Sequence, residues 1–219
     1  MKLLQHIGVA SIVLDKVIKK DKTCRLNKPL FYLGSILPDL NCVYPAHRIN
    51  ETQQRILSKI KYIDESSSYL LKSIQYGIVT HYVCDYFCYA HSIASLGKPH
   101  IKYEWSLYHF YNRHEKRFYD KDKMIVEWDR AKEIISSLFE NEKSIINPET
   151  HADMVFELLK FMNDEYINRY AMKNIYDIDN YIKQCKMDME YATFVCEKVI
   201  LGIMKPIENL NMEVQRCTY

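Results

Sequence analysis

Residues 81–91 read HYVCDYFCYAH and residues 100–104 read HIKYE. On a helix of about 3.6 residues per turn, His81 and Asp85 stand one turn apart and ~40° round the axis, so both can touch a single cation. His91 falls ~80° round the other side of His81 on the same helix, out of easy reach of that cation but placed for a neighbouring one. His100 and Glu104 repeat the one-turn spacing on the next helix and, with His91, make a second three-ligand set. Imidazoles and carboxylates without a thiolate suit zinc or another divalent transition metal. Three protein ligands per ion leave a position open for water, as catalytic sites do.

A single histidine on an apolar helix face is more often a satisfied core residue than a ligand, and one His–Asp pair at this spacing arises readily by chance. Two such pairs with a fifth ligand are harder to set aside. Cys84 and Cys88 lie between His81 and His91, but one helix cannot wrap four ligands tetrahedrally round one ion. They read as small core residues or as packing behind the ligands.

Working outward, the rest of the 219-residue chain is expected to be helical as well. Hydrophobic residues make up 48% and charged ones 26%, while five glycines and six prolines are too few for the many tight turns of a sandwich or barrel. One all-α domain over 1–219 follows, a multi-helix bundle with the metal cluster between helices, its metal-binding core over about 1–119 and a helical remainder over about 120–219. A net charge of +2 provides no general field for phosphate neutralisation, so stable nucleic-acid binding is not expected. The basic runs at Lys16–Lys22 and Arg113–Lys123 are broken by acids and read as solvated faces. Seven cysteines, an odd number without framework spacing, indicate reduced thiols and a cytoplasmic location. Residues 1–14 read as a helix of the mature protein rather than a leader, and no run reaches the ~18 apolar residues of a membrane span.

The periodicity predicts helices at 3–19, 28–37, 51–62 and 69–92, then from Pro99 to about Tyr119, and at about 126–141, 150–170 and 177–203. His6 sits near an apolar face of the first, where a histidine is buried or liganded. Asn27 is the expected cap of the second, which stops at Pro38-Asp39, and His47 follows in a loop. Ser66 to Ser68 cap the fourth, and its Gly77 permits close approach of another backbone. His109, His114 and His151 match no partner at useful spacing, and there is no nucleotide-binding glycine pattern, repeat or low-complexity tract.

These spacings resemble the zinc-dependent phospholipase C family of bacteria, a helical fold distantly related to single-strand-specific zinc nucleases. Gly77-x3-His81-x3-Asp85-x5-His91, His100-x3-Glu104, the LGSILPD of residues 33–39, His47 and His6 carry the resemblance, over roughly residues 1–110. It implies that His47, His81 and Asp85 hold one zinc and that His91, His100 and Glu104 hold another. Asp85 would bridge to a third zinc beside His6, and Asp39 would be the general base. Secreted members complete the third site with an N-terminal tryptophan well upstream of the first histidine. Here Met1 precedes His6 by five residues, so that site is vacant, completed by Met1 in an altered way, or filled by another ligand.

The expected function is a metal-dependent phosphoric ester hydrolase of phospholipase C type, with two or three zinc ions activating a water against a phosphodiester. Its substrate would be a phospholipid head group or another small phosphodiester, with transient contact to a membrane surface. The alternatives are a binding or scaffold protein that keeps the metals for stability, or a nuclease-like phosphodiesterase.

Overall fold

In a computed structural model of the chain, residues 3–40, 48–66, 68–92, 103, 121–138, 148–169 and 178–204 are described. They form α1 (Leu3–Lys20), α2 (Lys28–Leu40), α3 (Ile49–Glu65), α4 (Tyr69–Tyr86), the short α5 (Tyr89–Ser92), α6 (Lys121–Leu138), α7 (Pro148–Arg169) and α8 (Ile178–Met204), with no strand among the described residues. The architecture is all-α, as expected. None of these helices is long and apolar enough to cross a membrane.

The expected caps set two of the starts. Asn27 Oδ1 accepts the N–H of Leu30 at 3.1 Å, and Ser68 Oγ accepts that of Leu71 at 3.4 Å. The Asn27 N–H in turn donates to Ser73 Oγ at 2.8 Å, which joins the first turns of α2 and α4. Lys19 and Lys20 close the last turn of α1, where positive charge meets the negative end of the helix dipole.

Helix α4 is the axis of the bundle. Every residue from Val79 to Cys88 is buried, so this end of the helix is enclosed rather than half-solvated. Helices α1, α2, α3 and α8 surround it. The α2 contact is a backbone-to-backbone approach at Gly34 and Gly77, as Gly77 led us to expect. On another side Tyr86 meets Thr52 of α3, their hydroxyls 2.6 Å apart. Asn163 of α7 donates its amide to the Tyr86 carbonyl at 2.5 Å. Facing α8, the sulfurs of Cys84 and Cys196 lie 3.7 Å apart, and the five described cysteines are thiols rather than disulfides.

Two boundaries differ from the periodicity reading. The continuous helix expected over 69–92 breaks at Phe87, whose φ of −105° and ψ of 25° leave the α-helical range. The chain turns there through bonds from Cys88 N–H to the Asp85 carbonyl and from His91 N–H to the Cys88 carbonyl, at 3.1 and 2.9 Å. Apolar spacing continues smoothly across this point, so nothing in the pattern marks the break. Helix α2 also runs through Pro38 to Leu40 instead of stopping at Pro38. The expected helix over Pro99–Tyr119 lies outside the described residues, apart from Tyr103.

Candidate metal centre

The site is assembled where the early turns of α1, the last turns of α2 and α4, and the short α5 meet. Antiparallel packing of α1 on α2 pairs Ser11 with Tyr32, their hydroxyls 3.2 Å apart, and brings His6 opposite Asp39. Parallel packing of α2 on α4 brings the same Asp39 to His81. His6, His81 and Asp85 are completely buried.

One atom of each of these three lies within 4.8 Å of the others, close enough to hold one cation together. Asp85 Oδ2 is 3.3 Å from His81 Nε2, while its Oδ1 is 3.5 Å from His6 Nε2 and 3.4 Å from His91 Nε2. One carboxylate thus faces three imidazoles. Asp39 bridges the other way, with Oδ1 3.7 Å from His81 Nε2 and Oδ2 3.7 Å from His6 Nε2. Its side chain is 25% exposed, which makes it the carboxylate at the mouth.

The break after α4 changes where His91 stands relative to Asp85. A continuous helix would have turned it away from the cation of His81 and Asp85. On α5 it comes back against the Asp85 carboxylate instead.

The backbone sets the form of His81. Its Nδ1 lies 2.9 Å from the carbonyl oxygen of Ser35, which can only accept, so Nδ1 carries the hydrogen and Nε2 offers its lone pair inward. The His6 ring stacks on that of His81 with centroids 3.9 Å apart. Burial, then the neighbouring His81, holds the His6 pKa well below its usual value, so His6 is neutral. Burial alone would push Asp85 up, but the imidazoles that face it, His91 foremost and His6 and His81 with it, hold it well below the carboxylate range.

Both ring nitrogens of His6 are buried and find no hydrogen-bond partner among the described residues. Leaving buried polar atoms unsatisfied costs about 1–3 kcal/mol each. A cation accepting the nitrogen lone pair would relieve one of them, and the surrounding nitrogen and oxygen donors are those zinc takes. The residues present therefore fit a divalent metal.

A family model described as zinc dependent phospholipase C matches residues 5–195. The chain belongs to the zinc-dependent phospholipase C family. Comparison with curated proteins and with solved structures found no match. Membership makes phospholipase C-type, metal-dependent hydrolysis the general activity and zinc the family's metal.

Of the eight residues singled out in the sequence of this zinc-dependent phospholipase C family member, the structure brings together His6, Asp39, His81, Asp85 and His91. His47, His100 and Glu104 lie outside the described residues. The Ser35 carbonyl was missed because a backbone acceptor leaves no mark in a residue pattern. His151, taken as partnerless, donates from Nδ1 to Asp64 Oδ2 at 2.7 Å, a residue 87 positions away that no local spacing could have paired with it.

Proposed function

We propose that this protein hydrolyses a phosphodiester, a phospholipid head group or a related small molecule, at a centre of two or three zinc ions. His6, His81, Asp85 and His91 hold the metal, with His47, His100 and Glu104 completing the set as the family resemblance implies, and Asp39 acts as general base. What carries this reading is the pair of stacked, inward-facing imidazoles of His6 and His81 joined on opposite sides by Asp85 and Asp39.

Zinc, when bound, supplies Lewis-acid chemistry that polarises a phosphoryl oxygen and lowers the pKa of water. The protein does the rest. His81 is held in one tautomer by the Ser35 carbonyl, and buried Asp85 keeps a full negative charge among the imidazoles. Asp39, the more exposed carboxylate, is placed to take a proton from an attacking water and to hold it near the outer edge of the site. A cytoplasmic location, expected from the odd cysteine count, stays part of the proposal.

The test is metal analysis of the purified protein by mass spectrometry, with hydrolysis of p-nitrophenyl phosphorylcholine before and after chelation. At least two zinc ions per chain are expected, with activity lost on chelation and restored by zinc. A protein that is metal-free and inert would overturn the proposal. Preferential digestion of single-stranded DNA would move it to the nuclease class.

A further inference from the structure

Asp188 of α8 is fully buried, yet its carboxylate accepts four hydrogen bonds. Oδ2 accepts from the Tyr89 N–H at 2.8 Å and the Tyr103 hydroxyl at 2.7 Å. Oδ1 accepts from the Tyr166 hydroxyl at 2.5 Å and the Gln184 amide at 2.7 Å. Burial pushes the pKa of this group up to about 6 in spite of the four donors. An apolar residue of similar size could fill the space without that cost. What an apolar residue could not supply is an acceptor for Tyr89 and Tyr103.

Those two donors belong to the stretch that carries the metal ligands. Tyr89 opens α5, two residues before His91, where a first-turn N–H falls outside the helix's own ladder of i to i−4 bonds and is taken up by Asp188. Tyr103 directly precedes Glu104 in the chain. The break at Phe87 removes the continuous helix that would otherwise have fixed His91 relative to Asp85. A bond from α8 to the first N–H of α5 replaces that restraint.

We propose that Asp188 is a positioning residue of the metal centre, holding α5 from α8 so that His91 meets the Asp85 carboxylate. The proposal rests on the zinc-hydrolase reading above. Among the described ligands Asp188 touches none; it acts through Tyr89 and Tyr103 together, in the way that outer partners of metal ligands tune affinity and activity by about 10–100-fold.

The experiment compares the full-length wild type with Asp188→Ala and Asp188→Asn, reading helical circular dichroism, cobalt(II) titration and turnover. Asp188→Ala is expected to stay helical and to bind its weakest cobalt equivalent about 10-fold or more loosely, with kcat falling and KM little changed. Asp188→Asn keeps one acceptor oxygen and should bring cobalt affinity back to within about threefold of wild type. Folded Asp188→Ala with wild-type cobalt affinity and kcat would overturn the proposal and leave Asp188 a packing residue. If Asp188→Ala does not fold, Tyr103→Phe carries the test. It leaves the carboxylate in place and removes one bond, so weaker cobalt binding supports the proposal and wild-type binding overturns it. A wild type that binds no cobalt and cleaves no phosphodiester would instead sink the underlying hydrolase reading.

Discussion

Gly77 of α4 lies so close to Gly34 of α2 that a methyl group on Gly77 would sit 2.2 Å from the Phe31 carbonyl oxygen and 2.8 Å from the Gly34 Cα. This approach is what lets the Ser35 carbonyl reach His81 Nδ1 and lets Asp39 face the same imidazole. Metal-ligand geometry at one end of the two helices therefore depends on the absence of two side chains near their middle.

Gly77→Ala should consequently cost about 3 kcal/mol or more in urea unfolding, because the atoms in the way are backbone and cannot swing aside. Zinc content should fall with it, since His81 loses its restraint. Gly202 on α8 is the contrast, with nothing among the described residues within 4 Å of an added Cβ. Gly202→Ala should stabilise by about 0.5 kcal/mol through the backbone entropy glycine loses in a helix.

Asp39→Asn separates binding from turnover. The amide keeps the size of the carboxylate but cannot accept a proton from water, so kcat should drop about 10²–10⁴-fold while mass spectrometry finds the zinc retained. Equal loss of zinc and activity would make Asp39 a ligand rather than a base.

The raised pKa of Asp188 predicts a stability change with a definite sign. Its value in the folded protein is about 6, against 3.8 for the ordinary side chain. Below the lower value the carboxyl is protonated in both states and its contribution is fully present. As pH rises towards and through 6, the unfolded chain ionises first, and on the order of 3 kcal/mol is lost. Urea unfolding of metal-free wild type and Asp188→Asn at pH 4 and pH 7 measures this. The wild type should lose stability relative to the variant at the higher pH, and a constant difference would contradict the assignment.

Thiol reactivity reports on the core around α4. Burial first, then its contact with Cys196, pushes the Cys84 thiol well above its usual pKa, and burial pushes Cys185 up to about 12. Thiolate is the reactive form, so iodoacetamide at pH 8 should leave Cys84 and Cys185 unmodified until denaturant is added, and burial alone should shield Cys88 and Cys196 from the reagent. Peptide mapping by mass spectrometry would show it, and rapid native labelling of Cys84 would mean the α4–α8 contact opens.

Much of this was legible locally. The one-turn pairing of His81 with Asp85 follows from helix geometry, and Asn27 and Ser68 announce their helices because a short polar side chain satisfies the free N–H groups of a first turn. Gly77 signalled a close contact because nothing else explains a missing side chain there so economically. The break at Phe87 was not legible, since the apolar spacing runs across it and the turn is held partly by Asp188, which lies 99 residues beyond the Tyr89 it binds.

By itself, then, the order of residues determined the helices, most of their ends, and the side-chain types that zinc accepts, because those depend on neighbours within one or two turns. Only tertiary packing decided that His6, Asp39 and His91 join His81 and Asp85, which tautomer His81 adopts, and that a buried carboxylate on the last described helix grips the start of α5. These depend on groups far apart in the chain, whose distances are set by how helix surfaces fit together rather than by spacing along any one of them.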